Sequence, residues 1–210
     1  MADTLESGVF FTTTLYRVSA PQYLAAVREV SDEHLKAVKA QTQADALYPA
    51  LMTPDFATDT RIKDFAQYVS QTAWNILQSQ GYAMENMVTY FTSMWAQEHP
   101  KTSAMDYHVH PYGTQINAFY FLDCPENGSQ LCLHDPRPGK IMGVLPEADN
   151  TKLTDASSMV FFKPEPGILI LTNAWAPHSF TRNGSDKPVT FVHMNLATMP
   201  APPKPKPEVI

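Results

Sequence analysis

Apolar positions follow two different periods along this chain, and the change falls near Gly81. Before it, Ile62, Phe65, Ala66, Val69, Ala73, Ile76 and Leu77 recur every three or four residues, which predicts a helix from about Arg61 to Gln80. Asp59 or Thr60 is placed to cap it and Gly81 to end it. Pro21 suits a first helical turn, with Leu24, Val27 and Val30 on one face, and Ser31 and Asp32 offer a cap for a continuation through Leu35 and Val38. Ahead of these, the β-branched and aromatic run 9–17 predicts an opening strand.

After Gly81 the apolar runs are short and rich in β-branched and aromatic residues. Segments 87–96, 116–122, 130–134, 159–162, 167–172 and 188–195 read as strands, separated by turn clusters such as Pro125–Gly128 and Arg182–Asp186. Many short strands at regular spacing predict a sandwich or barrel. The expected organisation is one mainly β domain over 1–198, with helical support over about 20–82 and the barrel over about 87–197. A proline-rich tail, 199–210, is expected to be extended and mobile. Residues 138–158 form a long polar excursion, the kind of loop that serves as a lid.

Composition narrows the classes. A chain of 210 residues with 44% hydrophobic and 17% charged residues fits one globular domain. Its net charge of -6, with no basic cluster, argues against a nucleic-acid partner. No apolar run approaches the ~18 residues of a membrane span, and the first ten residues lack a secretory pattern, so a cytoplasmic location is expected. Two cysteines, Cys124 and Cys132, cannot make a disulfide framework. Asn127 and Asn183 head glycosylation-type triplets that read as turns in this context.

Three of the seven histidines stand in a pattern with chemical meaning. His108 and His110 are two apart, and in an extended chain such residues face the same side about 6.5–7 Å apart. His178 follows much later, just after the strand at 167–172. A near pair plus a distant third ligand fits a metal site inside a barrel. A pair of surface loop histidines is the competing reading of the first two.

Further motifs follow in a fixed order: Trp95; His108-Val-His110-Pro111; Asn117-Ala-Phe-Tyr120-Phe-Leu122; Gly128-Ser-Gln-Leu-Cys-Leu-His-Asp135-Pro-Arg137; Pro164-Glu-Pro-Gly167; and Trp175-Ala-Pro-His178. With that order and spacing, Val88–Asn195 resembles the 2-oxoglutarate/Fe(II) oxygenases of phages and bacteria. The resemblance implies a double-stranded β-helix (jelly roll) with supporting helices. It also implies Fe(II) held by His108, His110 and His178, and 2-oxoglutarate as co-substrate. Asn117 or Tyr120 would contact the co-substrate.

Two departures from the family pattern shape the expectations. The wider superfamily's first pair is His-x-Asp, whereas this chain has His110 in second place. Asp135 or Asp106 is the alternative source of a carboxylate ligand, though the first also reads as a turn residue and the second as a solvated one. The arginine that usually grips the far carboxylate of 2-oxoglutarate aligns with Val189, and Phe191 stands where a serine is common. Arg137, Arg182, Lys187 and His193 are the candidate substitutes, against plain readings as surface charges and a core histidine. Trp95 and Trp175 read as packing residues.

The expected activity is hydroxylation of an unidentified small-molecule or peptide substrate. The alternatives are a three-histidine metal enzyme independent of 2-oxoglutarate, either thiol-dioxygenase-like or zinc-dependent, and a non-catalytic binding barrel.

Overall fold

A computed structural model describes residues 4–41, 45, 48–143 and 145–202. Ten strands form two antiparallel sheets. They are β1 (Leu15–Ser19), β2 (Leu51–Met52), β3 (Met87–His99), β4 (Met105–His108), β5 (Thr114–Asp123), β6 (Leu131–His134), β7 (Met159–Phe162), β8 (Ile168–Asn173), β9 (His178–Phe180) and β10 (Val189–Pro200). The major sheet has the order β1-β8-β5-β10-β3-β2 and the minor sheet β4-β9-β6-β7. From β3 to β6, and again from β7 to β10, consecutive strands alternate between the sheets, the winding of a double-stranded β-helix.

Two helices cover the outer face of the major sheet: α1 (Leu24–Gln41) and α2 (Lys63–Ser79). The helical period of α2 buries Phe65, Val69, Ala73, Ile76 and Leu77, as the sequence pattern predicts. These pack with the outward-facing residues of the central strands, among them Ala118, Tyr120, Val192 and Met194, in one core. Burying each large apolar side chain contributes about 1.5–3 kcal/mol. Asp59 accepts from the Arg61 amide at the start, and Gly81, at φ +92°, closes the helix. The Gly81 amide donates to Gln78 and that of Tyr82 to Leu77, the paired bonds of a Schellman cap.

The opposite faces of the same strands line the barrel interior. There Phe119, Phe121, Ile168, Ile170, Val189 and Phe191 meet Leu131 and Phe180 of the minor sheet in a second apolar cluster. Alternation in β5 and β10 sorts residues between the two cores, so odd positions from 117 to 121 and from 189 to 195 face inward.

Several expected boundaries shift. The opening strand is β1 at Leu15–Ser19, later than 9–17, because its ladder partner is β8, while Phe10 and Phe11 stay exposed. β10 runs on to Pro200, two residues into the expected tail, because its ladder with β3 extends to Met87. The rest of the tail, from 203, lies outside the described residues. β2, β4 and β9 were not expected as strands. They are two to four residues long and defined by their neighbours rather than by an apolar pattern. Among the described residues no helix is long and apolar enough to cross a membrane. The excursion between β6 and β7 leaves from His134 and returns at Met159, beside the end of the minor sheet that carries His178. Lys140 pins it by donating to the carbonyls of Asp155 and Ser157.

Candidate metal centre

β4 and β9 are paired so that His108 stands directly opposite His178. His110 lies two residues past the end of β4, and its amide donates to the Ala174 carbonyl in the segment leading to His178. The three imidazoles converge: one nitrogen from each lies within 4.8 Å of the others. His110 Nε2 and His178 Nε2 are 3.3 Å apart. Two bonds of about 2.0–2.1 Å to a common ion at tetrahedral to octahedral angles would separate their nitrogens by about 2.8–3.4 Å.

Backbone carbonyls fix the tautomers of two rings. His108 Nδ1 lies 2.7 Å from the Asp106 carbonyl and His178 Nδ1 lies 3.1 Å from that of Ala176. A carbonyl only accepts, so both Nδ1 atoms carry the proton and both Nε2 lone pairs are free for an ion. Burial pushes the imidazole of His110 down to about 4, helped by the charge of His108. Burial lowers His178 further, to about 3, with His108 next in effect. Both rings are therefore neutral ligand donors at neutral pH. The donor set suits a divalent transition metal.

Neither candidate carboxylate joins this group among the described residues. Asp135 is turned to Arg137, whose Nη2 and Nε lie 2.7 and 2.9 Å from its oxygens. That pairing holds its carboxyl at about 2. Asp106 contributes its backbone carbonyl to His108, not its side chain. The expected carboxylate alternatives thus give way to three imidazoles.

The candidate co-substrate residues divide sharply. Tyr120 faces the helices, donates its hydroxyl to the Ala20 carbonyl at 2.7 Å and packs on Phe65. It cannot serve the interior because the alternation of β5 turns it outward. Arg137 is paired with Asp135, and exposed Arg182 donates to the Thr102 carbonyl. Lys187 is exposed beside Cys124 and Pro188. None of these three cations is placed with the histidine cluster. Val189, at the usual arginine position, is fully buried in the apolar cluster.

Asn117 and His193 do lie inside. His193 is sandwiched between Trp95 and Phe119, with ring centroids 4.3 and 4.4 Å away, and stands 4.8 Å from the His110 ring. Burial drives its pKa well below the usual histidine value, with the three neighbouring imidazoles adding to the effect. Four residues of this patch carry buried polar atoms without a hydrogen-bond partner: Trp95 Nε1, both amide atoms of Asn117, His193 Nε2 and Asn195 Oδ1. Leaving such an atom unpaired costs about 1–3 kcal/mol. Of the five, the Trp95 indole N–H and the Asn117 N–H₂ are donors that fit the carboxylate of a co-substrate, whereas the two amide oxygens only accept. Sequence reading missed Trp95 and Asn195 as polar contributors. Their signal was the two-residue period, since Asn195 shares a face with His193, and Trp95 pairs with His193 across the ladder.

The fold and this centre define the class: a double-stranded β-helix with three converging imidazoles at its mouth. Residues 93–193, which include all three, match the family described as "Putative 2OG-Fe(II) oxygenase". The matched segment is thus similar to a family of oxidoreductases whose cofactors are Fe(II) and 2-oxoglutarate.

No curated protein matches the sequence. Solved structures share the fold at low identity. A Pseudomonas putida prolyl-4-hydroxylase has TM-score 0.58 at 12% identity, with 89% of this chain and 94% of that chain covered. AviO1 from Streptomyces viridochromogenes Tue57 has TM-score 0.61 at 12% identity, covering 92% and 93%. The epimerase SnoN, solved with Fe3+, alpha ketoglutarate and nogalamycin RO, has TM-score 0.55 at 13% identity, covering 90% and 82%.

Proposed function

We propose that this protein is an Fe(II)- and 2-oxoglutarate-dependent dioxygenase that hydroxylates a small-molecule or peptide substrate, with His108, His110 and His178 as metal ligands. The observation that carries the reading is the convergence of three ring nitrogens, two with their lone pairs set by backbone carbonyls. When bound, the metal and co-substrate supply the oxidising power: 2-oxoglutarate, O₂ and a substrate C–H give succinate, CO₂ and C–OH.

The chain's own groups do the rest. The Asp106 and Ala176 carbonyls orient the imidazoles, and the apolar cluster of Phe119, Phe180 and Phe191 excludes water beneath them. The segments bearing the ligands expose Tyr107, Val109 and Trp175, an apolar rim suited to a substrate with aromatic or aliphatic surface. Two free cysteines and the absence of a membrane-type helix among the described residues support a cytoplasmic location.

The test is anaerobic. Fe(II) plus 2-oxoglutarate should produce a weak visible absorption band, and His178→Ala should abolish it together with metal binding. A second reading is favoured by the all-imidazole ligand set: a metal enzyme whose substrate chelates the ion without 2-oxoglutarate. Thermal stabilisation by Fe(II) that 2-oxoglutarate does not increase would select it. No metal dependence of any kind would leave a binding barrel.

A further inference from the structure

The interior of this barrel contains a ligand cradle displaced from the place where an arginine would stand. At the depth of Val189 the strands are closed by apolar rings. Phe180 and Phe191 stack at 4.6 Å with planes 11° apart, and Phe121, Leu131 and Ile168 belong to the same cluster. At that depth stands His99, the ladder partner of Val189. Its two nitrogens are already engaged, by Ser129 Oγ at 3.1 Å and Gln97 Nε2 at 2.8 Å. Its ring meets both Phe180 and Phe191 edge-on, so the stacked pair stands between it and the imidazoles of the metal centre.

Two rungs along the same strands the chemistry reverses. His193 is paired across the ladders with Trp95 and Phe119, and the next inward rung is Asn195 with Asn117 and Ser93. Asn195 Nδ2 donates to Ser93 Oγ, which leaves its Oδ1 free. Asn117, His193 and Asn195 are each more than nine-tenths buried. Phe119, on the His193 rung of β5, has its ring centroid 5.3 Å from that of His178, which places this rung against the metal centre. A register shift in the β10–β3 ladder falls between Asn195 and Leu196, a local distortion of the kind that re-aims side chains beside active sites.

We propose that the carboxylates of the 2-oxo acid are held on this rung pair by uncharged donors, the Trp95 indole N–H and the Asn117 amide, with His193 between them, in place of an arginine salt bridge. This rests on the functional reading above and assigns which residues serve it. Indole N–H and amide N–H₂ are donors suited to carboxylate oxygens, and both are buried without partners. Arg137, Arg182 and Lys187 take no part in it.

The experiment is anaerobic titration calorimetry of 2-oxoglutarate into Fe(II)-loaded protein, with iron stoichiometry measured alongside. Trp95→Phe keeps an aromatic ring on His193 and removes only the donor; Asn117→Ser and Asn117→Ala shorten the amide. Each is expected to weaken 2-oxoglutarate by about tenfold or more, equivalent to about 1.4 kcal/mol, with one iron per chain retained. The triple variant Arg137→Ala/Arg182→Ala/Lys187→Ala should bind within about twofold of wild type, since exposed charges contribute little.

Wild-type affinity in Trp95→Phe and both Asn117 variants, or loss of binding in the triple variant, overturns the assignment and leaves the dioxygenase reading intact. Iron binding with no 2-oxoglutarate heat in wild type overturns both. Should the Asn117 variants fail to fold, Trp95→Phe decides alone.

Discussion

At its closed end the barrel packs Val189, Phe191 and Phe180 against Leu131, His99 has both ring nitrogens bonded, and Gln97 Oε1 is a single unpaired polar atom on the Phe191 rung among the described residues. At its mouth the same strands place His193, Asn195, Asn117 and Trp95 side by side with five polar atoms unpaired. One region gains stability from burial. The other gives stability up, at about 1–3 kcal/mol per unpaired atom, and is completed by what it binds. The contrast separates residues that hold the barrel shut from those that make it useful.

The strongest way to break the contrast is His178→Ala. It should abolish metal binding and any 2-oxoglutarate-dependent turnover, read by iron content and succinate release, while leaving the apolar end and the fold intact. Phe191→Ala, at the closed end, should do the reverse. It is expected to destabilise the protein by about 3–5 kcal/mol in denaturant unfolding while iron stoichiometry in the folded fraction stays unchanged.

A third effect is set by acid. Burial holds His99 near 4, against an ordinary value of 6.5, so the folded state resists its protonation. The contribution of neutral His99 is complete above pH 6.5 and is lost as pH falls from 6.5 towards 4, where the unfolded chain takes up the proton first. The loss is on the order of 3 kcal/mol at full extent. His99→Asn should show a shallower decline of stability across that window than wild type, in unfolding measured at stepped pH.

The smallest effect sharpens the comparison most. Asn117→Leu replaces an unpartnered buried amide by an apolar side chain of similar size. It should raise the stability of the metal-free protein by about 1 kcal/mol and weaken 2-oxoglutarate at the same time.

The sequence pattern carried much of this architecture. The α2 stripe from Ile62 to Leu77 and the apolar runs that became β5, β8 and β10 were legible because burial on one face enforces a period. The His108, His110 and His178 group was visible as a near pair and a distant partner, and the geometry brings all three together. Less legible was anything set by pairing between distant strands. β9 is three residues long and takes its place from β4 and β6, so its register, which puts His178 opposite His108, had no local signature. Tyr120 shows the same limit. Alternation puts it on the face opposite Asn117, but only the segment packed outside explains where the tyrosine hydroxyl finds its acceptor. Trp95 read as packing because its ring does pack, on His193; the open N–H at its edge is visible only with the strands assembled.

The hydroxyl of Tyr120 reaches across 100 sequence positions to the residue that precedes Pro21, joining an inner strand to the start of the first helix. Gly167 tightens the same junction, since a Cβ there would meet the Pro21 Cα at 3.0 Å. The barrel strands and the helical segment before them are thus a single cooperative object. A fragment beginning at β3 would carry every imidazole of the metal centre, yet its underside, with Val192, Met194 and Leu196 stripped of their cover, would drive it to aggregate before it could hold an ion.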